Sequence, residues 1–98
     1  MTAVSKTKTS YYRRLYVAWL IEQGVASIPA LMDATGMPRR TAQDTLSALA
    51  ELDIVCEFAQ TPGAPNHIGA YVIRDWGAIN PKWIKANLAQ IKAVLDYP

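Results

Sequence analysis

The side chains best equipped for recognition chemistry lie close together at Arg39, Arg40, Thr41, Gln43, Asp44 and Ser47. They suit hydrogen bonding rather than bond making. An arginine pairs bidentately with guanine, a glutamine bidentately with adenine, and a carboxylate accepts from cytosine N4. Asp44 has two opposed readings, because the same carboxylate that accepts from a base repels a phosphate. Arg13 and Arg14, earlier in the chain, are a second pair of cations able to neutralise phosphates.

Reaction chemistry has little to start from. His67 is the single histidine and no carboxylate lies near it in sequence. Cys56 is the single cysteine, so neither an internal disulfide nor a cysteine-based zinc site can form. Within the alternating stretch Ile54-Cys56-Phe58 it reads as a small buried hydrophobe. Asp53 and Glu57 read as solvated acids. Gly63 and Gly69 belong to a turn-rich stretch rather than to a phosphate loop. A nucleophile–base pair or a metal centre needs more convergent groups than these. The chain is therefore expected to be no enzyme and to use no cofactor or metal.

The elements that must position the recognition residues can be read from the spacing. Ser27 caps a short helix with Pro29 in its first turn, where a missing N–H costs nothing. Gly36 stops that helix by accepting a left-handed conformation, and Pro38 pre-sets the start of the next. Ala42, Leu46, Leu49 and Ala50 then recur at helical spacing as one buried face. The opposite face carries Arg40, Thr41, Asp44, Ser47 and Glu51. Two short strands follow, Ile54–Gln60 and Ile68–Arg74, separated by the Pro/Gly-rich loop 61–67.

The pattern Leu31, Thr35-Gly36, Pro38, Arg40-Thr41-Ala42, Leu46, Leu49, Leu52 and Ile54-Val55 resembles the helix-turn-helix of bacterial winged-helix regulators. The strand–loop–strand after it resembles a wing. The resemblance implies a mainly α fold with a small β-ribbon: a three-helix core, a two-stranded wing and a C-terminal helix. It also implies that the second motif helix, about residues 38–52, enters the major groove and presents Arg39, Arg40, Thr41, Gln43, Asp44 and Ser47 to bases and phosphates. Thr35 in the turn, Arg13 and Arg14, and Asn66 and His67 at the wing tip complete the expected DNA-contacting set. The wing departs from the family pattern, since its tip 61–67 carries no Arg or Lys. Winged helices also serve as protein–protein modules, which is the alternative function.

The flanking segments set the expected assembly. Residues 1–9 read as a basic tail, residues 10–75 as the winged domain, and residues 76–98 as a C-terminal helix begun by Asn80-Pro81. The first helix, capped by Ser10, leaves almost no polar face between Tyr11 and Ile21, so it must be buried on more than one side. The last helix aligns Ile84, Leu88, Ile91 and Leu95 on one seam. A homodimer through Tyr12, Tyr16, Trp19, Leu20, Trp83, Ile84, Leu88, Ile91 and Leu95 is expected. An apolar effector at that interface is allowed but not indicated.

Composition fits this reading. Ninety-eight residues make one domain, and 51% of them are hydrophobic against 18% charged. The formal net charge of +2 is small, so the placement of the cations matters more than their sum. No stretch reads as a signal peptide or a membrane span, and a cytoplasmic regulator is the expectation.

Overall fold

The structure, a computed structural model, describes residues 4–60 and 69–98. Five helices and one two-stranded antiparallel sheet follow in the order α1 (Lys6–Glu22), α2 (Ile28–Thr35), α3 (Arg39–Ala48), β1 (Val55–Gln60), β2 (Gly69–Asp75), α4 (Pro81–Ala86) and α5 (Leu88–Leu95). This is the mainly α fold with a small β-ribbon that the sequence implies.

Helix α1 is the axis of the molecule. It starts five residues earlier than expected, because Ser5 rather than Ser10 caps it: the Ser5 hydroxyl accepts from the Lys8 N–H at 3.1 Å. Residues 6–9, expected in a basic tail, are therefore helical. Tyr12, Leu15, Tyr16, Val17, Ala18, Leu20 and Ile21 are all buried. They are covered by α3 and β2 on one side and by α4 and α5 on the other. The helix is apolar nearly all round because its own chain wraps it.

That wrapping corrects the expected dimer interface. Tyr12, Tyr16, Leu20, Ile84, Ile91 and Leu95 are core residues of the single chain, with Ile84 and Ile91 fully inaccessible. Such side chains have no surface left for a second copy. Trp19 and Leu88 are half-buried against the same core, and Trp83 alone of the set is exposed. Tyr12, Tyr16 and Ile84, allowed above as part of an effector lining, are likewise packed in the core. Tyr16 stacks on Trp19 with ring centroids 6.2 Å apart, and Tyr12 meets Trp83 edge-on at 6.3 Å.

The C-terminal seam also differs in detail. The segment begins as expected, with the Asn80 side chain accepting from the Lys82 N–H at 2.9 Å and Pro81 in the first turn. It then breaks at Asn87, whose φ and ψ of −115° and 19° leave the helical range. The Asn87 side-chain amide donates to the Trp83 carbonyl at 2.8 Å, beside its own backbone N–H at 3.1 Å. Two short helices, rather than one straight one, thus pack on α1, with Ile84 and Ile91 both fully buried.

The motif helices follow the sequence closely. The Ser27 hydroxyl accepts from Ala30 N–H at 3.1 Å, and Gly36 closes α2 with φ 79°. Helix α3 tightens into a 3-10 turn over Leu49–Leu52, and Asp53 reverses the chain with φ 62°. In the ribbon, Cys56 pairs with Ile73 and Phe58 with Tyr71. The ribbon is tied back to the helices where Tyr71 N–H donates to the Ala26 carbonyl at 3.0 Å, which a two-stranded sheet needs for stability. Among the described residues, no helix is long and apolar enough to cross a membrane.

Candidate nucleic-acid interface

Helix α3 is amphipathic with its inner face anchored by Ala42 and Thr45, both buried. A residue every 100° around the axis then points Arg40, Gln43, Asp44 and Ser47 outward, and all four are exposed, as is Arg39. Thr41 is half-buried at the border. Its carbonyl accepts from the Thr45 hydroxyl at 2.7 Å, which satisfies the buried hydroxyl inside the helix. Five of the six α3 side chains singled out from sequence thus share one solvent face along the helix.

Arg40 and Asp44 meet on that face at 3.8 Å, one turn apart, with their side chains 91% and 74% exposed. A pair so solvated holds only weakly, so either group is free to exchange its partner for a base or a phosphate. The pairing also moderates Asp44, whose charge would otherwise stand alone on the reading face.

The arginines of α1 are brought alongside. Ser10, Arg13 and Arg14 face Thr41, Asp44, Thr45 and Ala48 across an open cleft of about 220 Å³ between α1 and α3. A second concavity continues along α1 past Lys6, Thr9, Ser10 and Arg13. The cationic track therefore runs from Lys6 through Arg13 and Arg14 to the N-terminal turn of α3. On its other side, Gln43 and Ser47 border a cleft shared with Ile28, Leu46 and Tyr71, which links the reading face to the ribbon.

Thr35 is not part of this surface. It is buried; its hydroxyl donates to the Leu31 carbonyl at 2.7 Å and accepts from Met37 N–H at 3.1 Å. The hydroxyl locks the turn between α2 and α3 and has nothing left for a phosphate. Asn66 and His67 lie outside the described residues. On the ribbon itself, Arg74 pairs with Glu57 at 3.6 Å, and Phe58 is 49% exposed with its ring edge-on to Tyr71 at 5.3 Å.

Sequence reasoning counted Lys6 only as part of a basic tail and missed two neighbours of this surface, Ser10 and Tyr97. Lys6 and Ser10 join the track only because α1 begins early enough to carry both. Tyr97 was invisible: its hydroxyl accepts from Arg13 Nε at 3.3 Å across the whole length of the chain. A contact so distant in sequence leaves no local pattern.

Two ionisable side chains are perturbed. Burial, and then the neighbouring Tyr97, push the Tyr16 phenol above its ordinary value of 10.0. Burial, and then Glu57, raise the Cys56 thiol. Both shifts favour the neutral, unreactive form. Cys56 is half-buried, less enclosed than the alternation suggested.

Comparison with known proteins bears on this geometry. A family model described as winged helix-turn helix matches residues 6–95, nearly the full length. A solved structure of a DUF2131 family protein from Shewanella amazonensis SB2B is similar at 36% identity and a TM-score of 0.90, covering 97% of this chain and 91% of that one. No curated protein matches the chain.

Proposed function

The chain belongs to the winged helix-turn-helix family, and on that premise we propose that it is a sequence-specific duplex DNA-binding protein that regulates transcription as a homodimer. The observation that carries the proposal is the solvent face of α3: Arg39, Arg40, Gln43, Asp44 and Ser47 all exposed on one side of a helix whose other face is anchored in the core. A helix presented this way fits the major groove and reads base edges with its N-terminal residues. Arg13 and Arg14 lie beside it at the edge of the α1–α3 cleft, where backbone phosphates flank a helix seated in the groove. The proposed role is non-enzymatic.

Dimerisation supplies what one copy lacks. Four arginines beside the exposed acid Asp44 make a modest cationic footprint, and a second copy doubles it. The exposed Trp83, bordered by Tyr11 and Ile79 around a shallow cleft, is an apolar surface suited to joining two copies, since most of the helical seam packs within the chain.

A second reading is favoured by the exposed Phe58 and Val55 on the ribbon, which suit a protein partner better than a phosphate backbone. Salt separates the two. DNA affinity driven by phosphate neutralisation falls steeply as salt rises, whereas an apolar protein interface barely responds. Binding to a labelled duplex, followed by fluorescence anisotropy over a salt series, is expected to give a steep negative slope in log K against log salt. Absence of salt-sensitive duplex binding by the wild-type chain would favour the protein-binding role.

A further inference from the structure

We propose that Tyr97 is a positioning residue for DNA binding: it holds the Arg13 guanidinium at the α1–α3 cleft, ready to receive a backbone phosphodiester. The inference rests on the DNA-binding reading above and assigns a function to the last turn of the chain.

The geometry is built from the C-terminus upward. Helix α5 ends where Asp96 adopts φ 57°. Tyr97 N–H then donates to the Lys92 carbonyl at 3.0 Å and Asp96 N–H to the Ala93 carbonyl at 3.4 Å. These two bonds, around one left-handed residue, are the Schellman closure of a helix. The reversal swings Tyr97 off the helix axis and back over α1. There its ring packs on Tyr16 with centroids 5.9 Å apart and planes tilted by 34°. Tyr16 is itself 3% exposed, so the platform is fixed by the core.

From that platform the Tyr97 hydroxyl accepts from Arg13 Nε at 3.3 Å. The contact uses one of the five guanidinium donors and leaves the terminal Nη groups free. Ser10, Arg14 and Thr41 border the same cleft as Arg13. A phosphodiester oxygen fits this combination of forked donors and hydroxyls. Arginine is a flexible side chain, and fixing it during folding removes that cost from the binding step. Asp44 also lines the cleft, and its weak pairing with Arg40 keeps part of its charge turned toward the reading face.

The test is a double-mutant cycle read as duplex affinity. Tyr97→Phe keeps the ring on Tyr16 and deletes only the hydroxyl, and the melting temperature checks that the fold is retained. The expected result is a loss of about fivefold in affinity, the effect of one hydrogen bond. In an Arg13→Ala background, itself weakened, Tyr97→Phe is expected to cause no further loss. Equal loss in both backgrounds would make Tyr97 a general structural residue and overturn the inference. So would unchanged affinity in Tyr97→Phe beside a weakened Arg13→Ala, an outcome that leaves DNA binding intact. Should Arg13→Ala have no effect while Arg39→Ala/Arg40→Ala abolishes binding, α1 is outside the interface and the inference falls alone. Failure of the wild-type chain to bind any duplex would remove both.

Discussion

The Nε of Arg13 donates to the hydroxyl of Tyr97 at 3.3 Å, joining the first helix to the final turn of the chain. The contact shows how the molecule is organised. The C-terminal helices close the core around α1, and in doing so they support the edge of the surface that α3 presents to solvent. The recognition face and the C-terminal segment are therefore one structural unit.

Under the proposed DNA-binding role, Asp44 is expected to act against phosphate and for base discrimination. Asp44→Asn is expected to raise affinity for random-sequence duplex severalfold while narrowing the gap between random and preferred sites. The substitution removes a repulsive charge and also the acceptor for cytosine N4. Competition binding with both duplexes measures the ratio, and an unchanged ratio would place Asp44 outside the reading.

Ile84 and Ile91 are fully buried against α1 on either side of the Asn87 break. Replacing either by Ala is expected to destabilise the fold by about 2 to 5 kcal/mol, the usual cost of a large-to-small change in a packed core. Chemical denaturation followed by circular dichroism measures it. A loss well below about 1 kcal/mol would mean that α4 and α5 are only loosely docked.

Trp83 is 44% exposed and meets Tyr12 with its ring edge, so a charge there costs the fold less than one at a buried position. Trp83→Glu is expected to lower the melting temperature only modestly and to shift sedimentation from dimer toward monomer. A variant that still sediments with wild-type mass would move the interface away from Trp83. The partly buried Leu88 is a poorer probe, because a charge there would damage the monomer as well.

Tyr16 links stability to alkaline pH. Its phenol is held above 10.0 in the folded chain, first by burial and then by Tyr97, whereas in the unfolded chain it returns to the ordinary value. The unfolded state therefore loses the proton first. The contribution is fully present below about pH 10 and is lost as pH rises through the folded-state value. Melting temperature measured across that range is expected to fall more steeply for the wild type than for Tyr16→Phe. Parallel curves would show that Tyr16 does not control the alkaline limit.

How much of this was legible beforehand depended on the range of each interaction. The caps at Ser27 and Asn80, the left-handed Gly36 and the amphipathic face of α3 are local events, set by residues within one or two turns, and they could be read from spacing. The solvent face of α3 was legible for the same reason. Thr35 misled because a turn hydroxyl facing a phosphate and one satisfied internally share the same sequence; only its bonds to Leu31 and Met37 distinguish them. The apolar girth of α1 correctly demanded burial on several sides, yet periodicity does not say whose chain provides the cover. It is the chain's own α4 and α5, so most of the residues expected between two copies are core. Tyr97 was beyond reach, since its role follows from packing between opposite ends of the molecule.

Selection of bound sequences from a random duplex pool, at low and then moderate salt, tests the central claim most directly. The wild-type chain is expected to enrich a two-fold symmetric site, and Arg39→Ala/Arg40→Ala to lose that enrichment while keeping its melting temperature. Its salt slope is expected to be shallower by roughly two per protomer, one for each phosphate-neutralising cation removed. Equal enrichment by both proteins would remove these arginines from the reading face, and no enrichment by the wild type would contradict sequence-specific DNA binding itself.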